Sequence, residues 1–205
     1  MEAAVQAASD YGTYVMAHLY TSAQIQRAIK AGVKSLEHCI LMDEETAQLI
    51  AEKELFLCPC PNCNKEDDDF DDPILQEKWM RVRRGFEKQT ELINRYDLKI
   101  LFGTDFIQEY ATAGKEQLQD FKEYKKRFGS FRGLKSATGN INELMRLTTY
   151  RNPYPDGEIG VIRRGAYADI LIVDGNPLED LDVLADPQNL RLIMKDGRIF
   201  KNNLK

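Results

Sequence analysis

The sequence is short of several features that mark particular classes of protein. It has no run of about 18 apolar residues, so it predicts no membrane-spanning helix. Lys and Arg (28) are outnumbered by Asp and Glu (33), and a net charge of -5 argues against nonspecific binding to nucleic acid, which needs a concentrated basic face. The first residues lack the basic start and apolar core of a signal peptide. We therefore expect neither a membrane nor a nucleic acid as a partner.

Cysteine is also scarce. Four cysteines in 205 residues, without a secretory signal, predict reduced thiols and a cytoplasmic location. Three of them, Cys58, Cys60 and Cys63, lie in one short polar segment. A thiolate metal site is one hypothesis for this group, although its C-x-C-x-x-C spacing is not a common zinc spacing. The other hypothesis is a set of reduced cysteines at the mouth of a loop.

Apolar strand-like runs alternate with helical patterns through the first half of the chain. The predicted strands occupy residues 14–17, 33–37, 55–57 and 99–102. The predicted helices between them occupy residues 22–31, 43–53 and 74–95, and further helices are predicted at 115–127, 131–137 and 141–149. Because helices separate the strands, we expect parallel pairing through βαβ units and an α/β fold.

The last fifty or so residues have a different character. A strong strand is predicted at 168–174, and two more at 190–194 and 198–201 flank Asp196-Gly197, a pair suited to a type I′ hairpin turn. No helix pattern separates these strands. The sequence therefore predicts two domains, an α/β domain at residues 1–152 and a small β unit at residues 153–205.

The chain has only two histidines, and each follows an apolar strand run. His18 ends YVMAH, His38 ends KSLEH, and Asp105 likewise ends KILFGTD. Taken singly, such residues are more often hydrogen-bonded core residues or helix caps. Taken together, three potential ligands at the carboxyl ends of parallel strands predict a catalytic site in a barrel.

The side chains themselves suit metal-assisted hydrolysis. Imidazole and carboxylate ligands fit Zn²⁺ and similar ions, and catalytic zinc often keeps three protein ligands and one open position. A water in that position has its pKa lowered to about 7, which produces a nucleophile at neutral pH. A neighbouring carboxylate can take its proton and pass one to a leaving nitrogen.

Several segments resemble those of a known family. VMAHLYT, AGVKSLEHC and LFGTD are similar to strand-end motifs of metal-dependent amidohydrolases. The tail GEIGVIRRGAYADILIVDGNPLEDLDVL resembles that of the imidazolonepropionase-like and Xaa-Pro dipeptidase-like branch. The resemblance implies the C-terminal half of a (β/α)8 TIM-like barrel, together with the C-terminal strands of a small β-sandwich.

The resemblance also implies roles for particular residues. His18 and His38 would be metal ligands, and Asp105 would be a ligand and the proton-shuttling catalytic group, with one or two divalent ions, of which zinc is the first choice. Tyr20 is a candidate substrate-binding residue, since alternate residues share a strand face, or else a tyrosine at the rim. The implied reaction is hydrolysis of a C–N bond in an amide, dipeptide or cyclic amide by a metal-activated water.

Two elements of the family pattern have no counterpart here. They are the His-x-His pair of the first strand and the lysine of the fourth strand. We therefore expect the barrel to be completed by a missing N-terminal half, on the same or another chain, or by a second copy, with a small molecule as substrate. The alternative is a noncatalytic chain that contributes half a barrel to a complex.

Overall fold

The computed structural model describes residues 1–61, 70–105 and 110–204. They form two compact units, Met1–Gly103 and Thr104–Lys205. None of the helices in these ranges combines the length and apolar character needed to cross a membrane.

The first unit contains a four-stranded parallel sheet in the order β1-β2-β3-β4, with a helix in each connection. The strands are β1 (Met16–Thr21), β2 (Ser35–Leu41), β3 (Phe56–Cys58) and β4 (Lys99–Ile100). The helices are α1 (Glu2–Asp10), α2 (Ser22–Ala31), α3 (Glu44–Glu52) and α4 (Pro73–Arg95). Parallel neighbours need a crossover, so this sequential order is the arrangement along one half of a (β/α)8 barrel.

The core of the first unit lies between this sheet and helices α2 to α4. Apolar side chains from both layers are almost completely buried there, and each contributes roughly 1.5–3 kcal/mol through its removal from water. They are Ile25, Leu36, Ile50, Leu57, Leu92 and Ile100.

Local sequence sets the ends of the first helices. Thr21 N–H donates to Gln24 Oε1 at 3.1 Å at the start of α2, and Gly32 ends that helix with a φ of 96°, which glycine adopts without a Cβ clash. Asp43 begins α3, because its side chain accepts from Thr46 N–H at 2.9 Å. These caps fix where each helix leaves the edge of the sheet.

The second unit begins with helical structure. Its helices are α5 (Tyr110–Leu118), α6 (Asp120–Phe128), α7 (Ser130–Ala137) and α8 (Gly139–Met145), and a short 3-10 helix follows at Leu181–Ala185. The 3-10 helix packs against α6 and α7. Lys125 Nζ lies 2.7 Å from Asp180 Oδ1 and 2.8 Å from Asp182 Oδ2. At Gly133 a Cβ would meet Leu181 at 2.4 Å, so glycine permits the close packing.

The second unit ends in a three-stranded antiparallel sheet, β5-β6-β7. Its strands are β5 (Ile170–Val173), β6 (Leu190–Lys195) and β7 (Arg198–Asn202). Asp196 and Gly197 join the last two strands with φ values of 49° and 73°, as a type I′ turn requires. Several large apolar side chains of this sheet are exposed, among them Leu171 at 53% and Phe200 at 61%.

The structure differs from the sequence-based expectations in three places. Strands β1 and β2 continue past the histidines, to Thr21 and Leu41, so both histidines lie inside strands and not at their last residues. The helix expected at 115–127 is two helices that part at Gln119. Helix α1 has no counterpart among the predicted elements. The predicted domain boundary at residues 152/153 stays a prediction.

Candidate active site

The two histidines lie together on neighbouring strands. In the parallel register of β1 and β2, His18 pairs with Glu37 and Leu19 pairs with His38. The ring centroids of His18 and His38 are 4.5 Å apart, with an angle of 71° between the ring planes. His38 is buried and His18 is exposed. The sequence predicted that these side chains meet, and the structure places them in contact.

The backbone of β2 is unusual at the histidine. His38 and Cys39 have φ values of 64° and 55°, in the left-handed region that residues with a Cβ seldom adopt. Side chains alternate between the two faces of an extended strand, and the left-handed pair interrupts that alternation. The pairing of β1 with β2 also shifts its register between Leu19 and Thr21. Such strain costs about 1–3 kcal/mol for each residue and is concentrated at functional sites.

A buried glutamine from α4 holds this part of β2. Gln89 Nε2 donates a hydrogen bond to the main-chain carbonyl of His38. Gln89 is buried, and Gly85 lies one helical turn before it on the same face of α4. A Cβ at Gly85 would lie 2.8 Å from the Ile40 carbonyl oxygen, so glycine lets the helix approach the strand closely. Gln89 therefore positions His38 through its backbone, and no motif in the sequence points to it.

Tyr20 contacts both histidines. Its ring centroid is 5.1 Å from that of His18, in an edge-to-face arrangement, and 5.5 Å from that of His38, nearly parallel to it. The expectation that Tyr20 shares a strand face with His18 agrees with this geometry. Its role in substrate binding stays a prediction.

Glu37 is a further polar residue of the site. It pairs with His18 on one side and with Cys58 of β3 on the other, which puts these residues in one row across the sheet. Its Oε1 accepts from the Ser35 hydroxyl at 2.6 Å. Burial, with a smaller contribution from the charge of Glu37, raises the pKa of the Tyr14 hydroxyl and of the Cys39 thiol. The sequence signal for Glu37 was a carboxylate directly before His38 at the end of a predicted strand.

The remaining candidate residues are placed less completely. Asp105 follows β4, is exposed and has a φ of 48°. It belongs to the second compact unit, and its role as a ligand and catalytic group stays a prediction. Cys58 and Cys60 lie together at the end of β3, with their sulfurs 3.5 Å apart. Cys63 lies outside the described residues.

The described side chains supply part of a metal site. Within residues 1–61, 70–105 and 110–204, no group of three or more His, Cys, Asp or Glu side chains is arranged to hold an ion. The two imidazoles do fit such a group. Imidazole nitrogens are common ligands of zinc and similar ions, and these two rings lie in contact, with centroids 4.5 Å apart. The histidine pair is therefore suited to a divalent cation and needs at least one more ligand.

The chain is similar to known hydrolases over nearly its whole length. Residues 1–200 match the model of the Amidohydrolase family. A crystal structure of an amidohydrolase is 34% identical, with a TM-score of 0.82, over 100% of this chain and 48% of that one. A prolidase solved with N-methylphosphonate-L-proline is 31% identical, with a TM-score of 0.82, over 98% of this chain and 48% of that one.

A curated relative extends the similarity. The ochratoxinase of Aspergillus niger is 28% identical over 215 aligned residues, which cover 96% of this chain and 40% of that protein. The chain thus spans less than half the length of the relatives that it matches. Together with the parallel α/β sheet, these similarities confirm the predicted fold class, a partial barrel. The chain belongs to the amidohydrolase family.

Proposed function

We propose that this chain carries part of the active site of a metal-dependent hydrolase that cleaves a C–N bond as part of a complete amidohydrolase barrel. The observation that supports the proposal is the contact between the His18 and His38 rings on adjacent parallel strands. The strained backbone of β2 and the Gln89 hydrogen bond hold that pair in place. The family to which the chain belongs consists of hydrolases.

Each candidate residue has a proposed role. His18 and His38 hold a divalent cation, for which zinc is our first choice, through their ring nitrogens. Asp105 completes the ligand set and moves the proton between the nucleophile and the leaving nitrogen. Tyr20 contacts both rings and borders the space in which a substrate binds. When bound, the cation lowers the pKa of a bound water to about 7.

The substrate class follows from the relatives. The prolidase was solved with a phosphonate derivative of proline, and the curated relative is an ochratoxinase. We propose an amide, a dipeptide or a cyclic amide as the substrate of the complete enzyme. Dipeptides that end in proline and N-acyl amino acids are the first compounds to assay.

A noncatalytic role is the second candidate. It is favoured by the described part of the chain, in which no group of three or more His, Cys, Asp or Glu side chains is arranged to hold an ion. In that case the chain contributes half a barrel to a complex, and its histidine pair has no activity of its own. The oligomeric state, the metal content and the activity of one purified sample separate the two candidates.

The experiment compares metal retention in three proteins. The three proteins are the wild-type chain, His18→Ala and the control Gln48→Ala, which changes an exposed residue of α3. Each is purified alone and together with any chain that copurifies with it. His18 is the better first target because it is exposed, and its loss leaves no cavity in the core. We expect stoichiometric divalent metal in the wild type and the control, and at least a tenfold loss of affinity in His18→Ala.

Hydrolysis is then measured on the same samples. Loss of both metal and activity in His18→Ala, with unchanged unfolding, supports the catalytic proposal. A wild-type complex that holds metal but hydrolyses none of the compounds supports the noncatalytic candidate. If His18→Ala retains the metal as tightly as the control, the histidine pair is not the metal site and the proposal is wrong.

A further inference from the structure

The two cysteines at the end of β3 are in direct contact. Cys58 Sγ and Cys60 Sγ lie 3.5 Å apart, and the residues are only 6% and 4% exposed. Residues i and i+2 of an extended strand are separated by roughly 6.6 Å along the chain. Here Cys60 has a φ of 44°, in the left-handed region, so the chain turns back after Pro59 and brings the second sulfur to the first. The contact is a product of backbone conformation.

The surroundings hold the two sulfurs against each other. A Cβ on Gly103 would lie 2.3 Å from Cys58 Sγ and 3.8 Å from Cys60 Sγ, so the thiols occupy the space that any other residue at position 103 would fill. Cys60 Sγ also lies 3.8 Å from the Cys58 carbonyl, as a weak donor. The pair is thus packed on a glycine and enclosed by its own main chain.

The third described cysteine has a different environment. Cys39 is completely buried, and its thiol donates to the Glu37 carbonyl at 3.8 Å. Burial, together with the charge of Glu37, raises the pKa of the Cys39 thiol. Since the thiolate is the reactive form, Cys39 is an unreactive thiol of the same chain. It provides an internal control for the chemistry of the pair.

We propose that Cys58 and Cys60 are a site of reversible disulfide formation, through exchange with a low-molecular-weight disulfide. One cysteine thiolate attacks a sulfur of the small disulfide, and a small thiol leaves with the proton that the cysteine lost. The second cysteine then attacks the protein sulfur of the mixed disulfide and releases a second small thiol. Two cysteine thiols are oxidised, and one small disulfide is reduced to two thiols.

The geometry requires only a small movement. A disulfide is about 2.05 Å long, so the two sulfurs must approach by about 1.5 Å, which side-chain rotation can supply. No metal and no residue beyond the described pair is needed. Because Cys58 shares a row of the sheet with Glu37 and His18, closure takes place beside the candidate active site. The chemistry itself does not depend on the proposed hydrolase function.

Mass spectrometry of the full-length protein tests the proposal. The reduced wild type is equilibrated with mixtures of reduced and oxidised glutathione, quenched with an alkylating agent under denaturing conditions, and mapped by peptide. We expect a loss of two hydrogens from the peptide that contains Cys58, Cys60 and Cys63, with fragmentation locating the cross-link between Cys58 and Cys60 and the alkyl label on Cys63, while Cys39 is fully alkylated. Reduction with dithiothreitol restores both alkylation sites.

Three variants sharpen the assignment. Cys39→Ser is expected to close as the wild type does. Cys58→Ser and Cys60→Ser are each expected to stop at the mixed stage and to carry one glutathione. The proposal is overturned if the wild type keeps both thiols, if it carries two glutathiones without closing, or if the cross-link contains Cys39 or Cys63. The main measurement is made on the wild type, so the proposal can be tested even if a variant folds poorly.

Discussion

The two sheets of this protein each contain a strand of almost wholly apolar residues, yet these two strands differ in burial. Strand β3 of the parallel sheet reads FLC, and all of its residues are buried. Strand β5 of the antiparallel sheet reads ILIV, and three of its four residues are exposed. Helices α2 to α4 cover the parallel sheet on the face that holds its core. Apolar composition therefore predicts that a segment is a strand, but not that a layer covers it.

The difference in burial also bears on which sheet can carry the candidate site. The parallel sheet carries the histidine pair, the left-handed residues His38 and Cys39 of β2, and the thiol pair of Cys58 and Cys60, all supported by the buried core. The antiparallel sheet carries exposed apolar side chains such as Leu171 and Phe200. Strained backbone persists only where its surroundings determine it, so a site of this kind belongs on the covered sheet.

The largest expected effect compares the cores of the two sheets directly. Leu57→Ala in β3 removes a side chain that is 0% exposed and should lower the free energy of unfolding by about 2–5 kcal/mol. Leu171→Ala in β5 removes one that is 53% exposed and should lower it by less than about 1 kcal/mol. Denaturant unfolding measures both values. Equal losses would mean that a further layer covers β5 in solution.

The second effect concerns the contact between α4 and β2. Gln89→Leu removes the donor to the buried carbonyl of His38 and should cost about 1–3 kcal/mol of stability. It should also weaken metal binding, because His38 loses its fixed position. Gln48→Leu is the matched control, since this glutamine is exposed on α3 and its Nε2 donates to the Tyr96 hydroxyl at 3.0 Å. Unchanged metal affinity in Gln89→Leu would limit its role to stability.

The third effect tests the cap that positions α3. Asp43→Ala should cost about 1 kcal/mol, and Asp43→Asn less, because asparagine also caps helices. The hydrogen bond from Thr46 lowers the pKa of Asp43. Because the pKa of Asp43 is lower in the folded state, its ionised carboxylate stabilises the fold at pH values above the unfolded-state pKa of about 3.9. This contribution is lost as the pH falls through the folded-state pKa. Thermal unfolding between neutral and acid pH should show a larger loss in the wild type than in Asp43→Asn, because other carboxyl groups of lowered pKa, such as Asp169, contribute equally in both.

The smallest effect lies in the second unit. Lys125→Met removes two ion pairs, with Asp180 and Asp182, that are partly exposed. We expect a small loss of stability that shrinks as salt is added, because salt screens such pairs. Lys122→Met, at an exposed position of the same helix, is the control. A loss as large as that of Leu57→Ala would contradict the view that packing, and not charge, determines stability here.

The sequence allowed much of this fold to be predicted, for local reasons. The Asp43 cap, the Gly32 stop and the Asp196-Gly197 turn each depend on residues within a few positions of one another. The alternation of strands and helices predicted the parallel sheet. The sequence predicts that β1 and β2 end at their histidines, because a polar histidine interrupts the apolar pattern of a strand. The observed strands continue to Thr21 and Leu41.

Part of the candidate site was also predictable. The contact between His18 and His38 follows from their positions on adjacent parallel strands. The sequence did not point to Glu37, which pairs with His18 across the sheet. The register between two strands cannot be read from the sequence alone. The position of Asp105 relative to the pair stays a prediction.

By itself, the sequence determined the family, the order of the elements and the residue types available for chemistry. Only the tertiary structure determined the left-handed backbone at His38, the reach of Gln89 to its carbonyl and the contact between Cys58 and Cys60. The physical reason is the range of the interactions. Caps and turns are decided within a few residues of chain. Gln89, in contrast, meets His38 across 51 positions, and the Cys58–Cys60 pair packs on the distant Gly103; only packing brings such residues together.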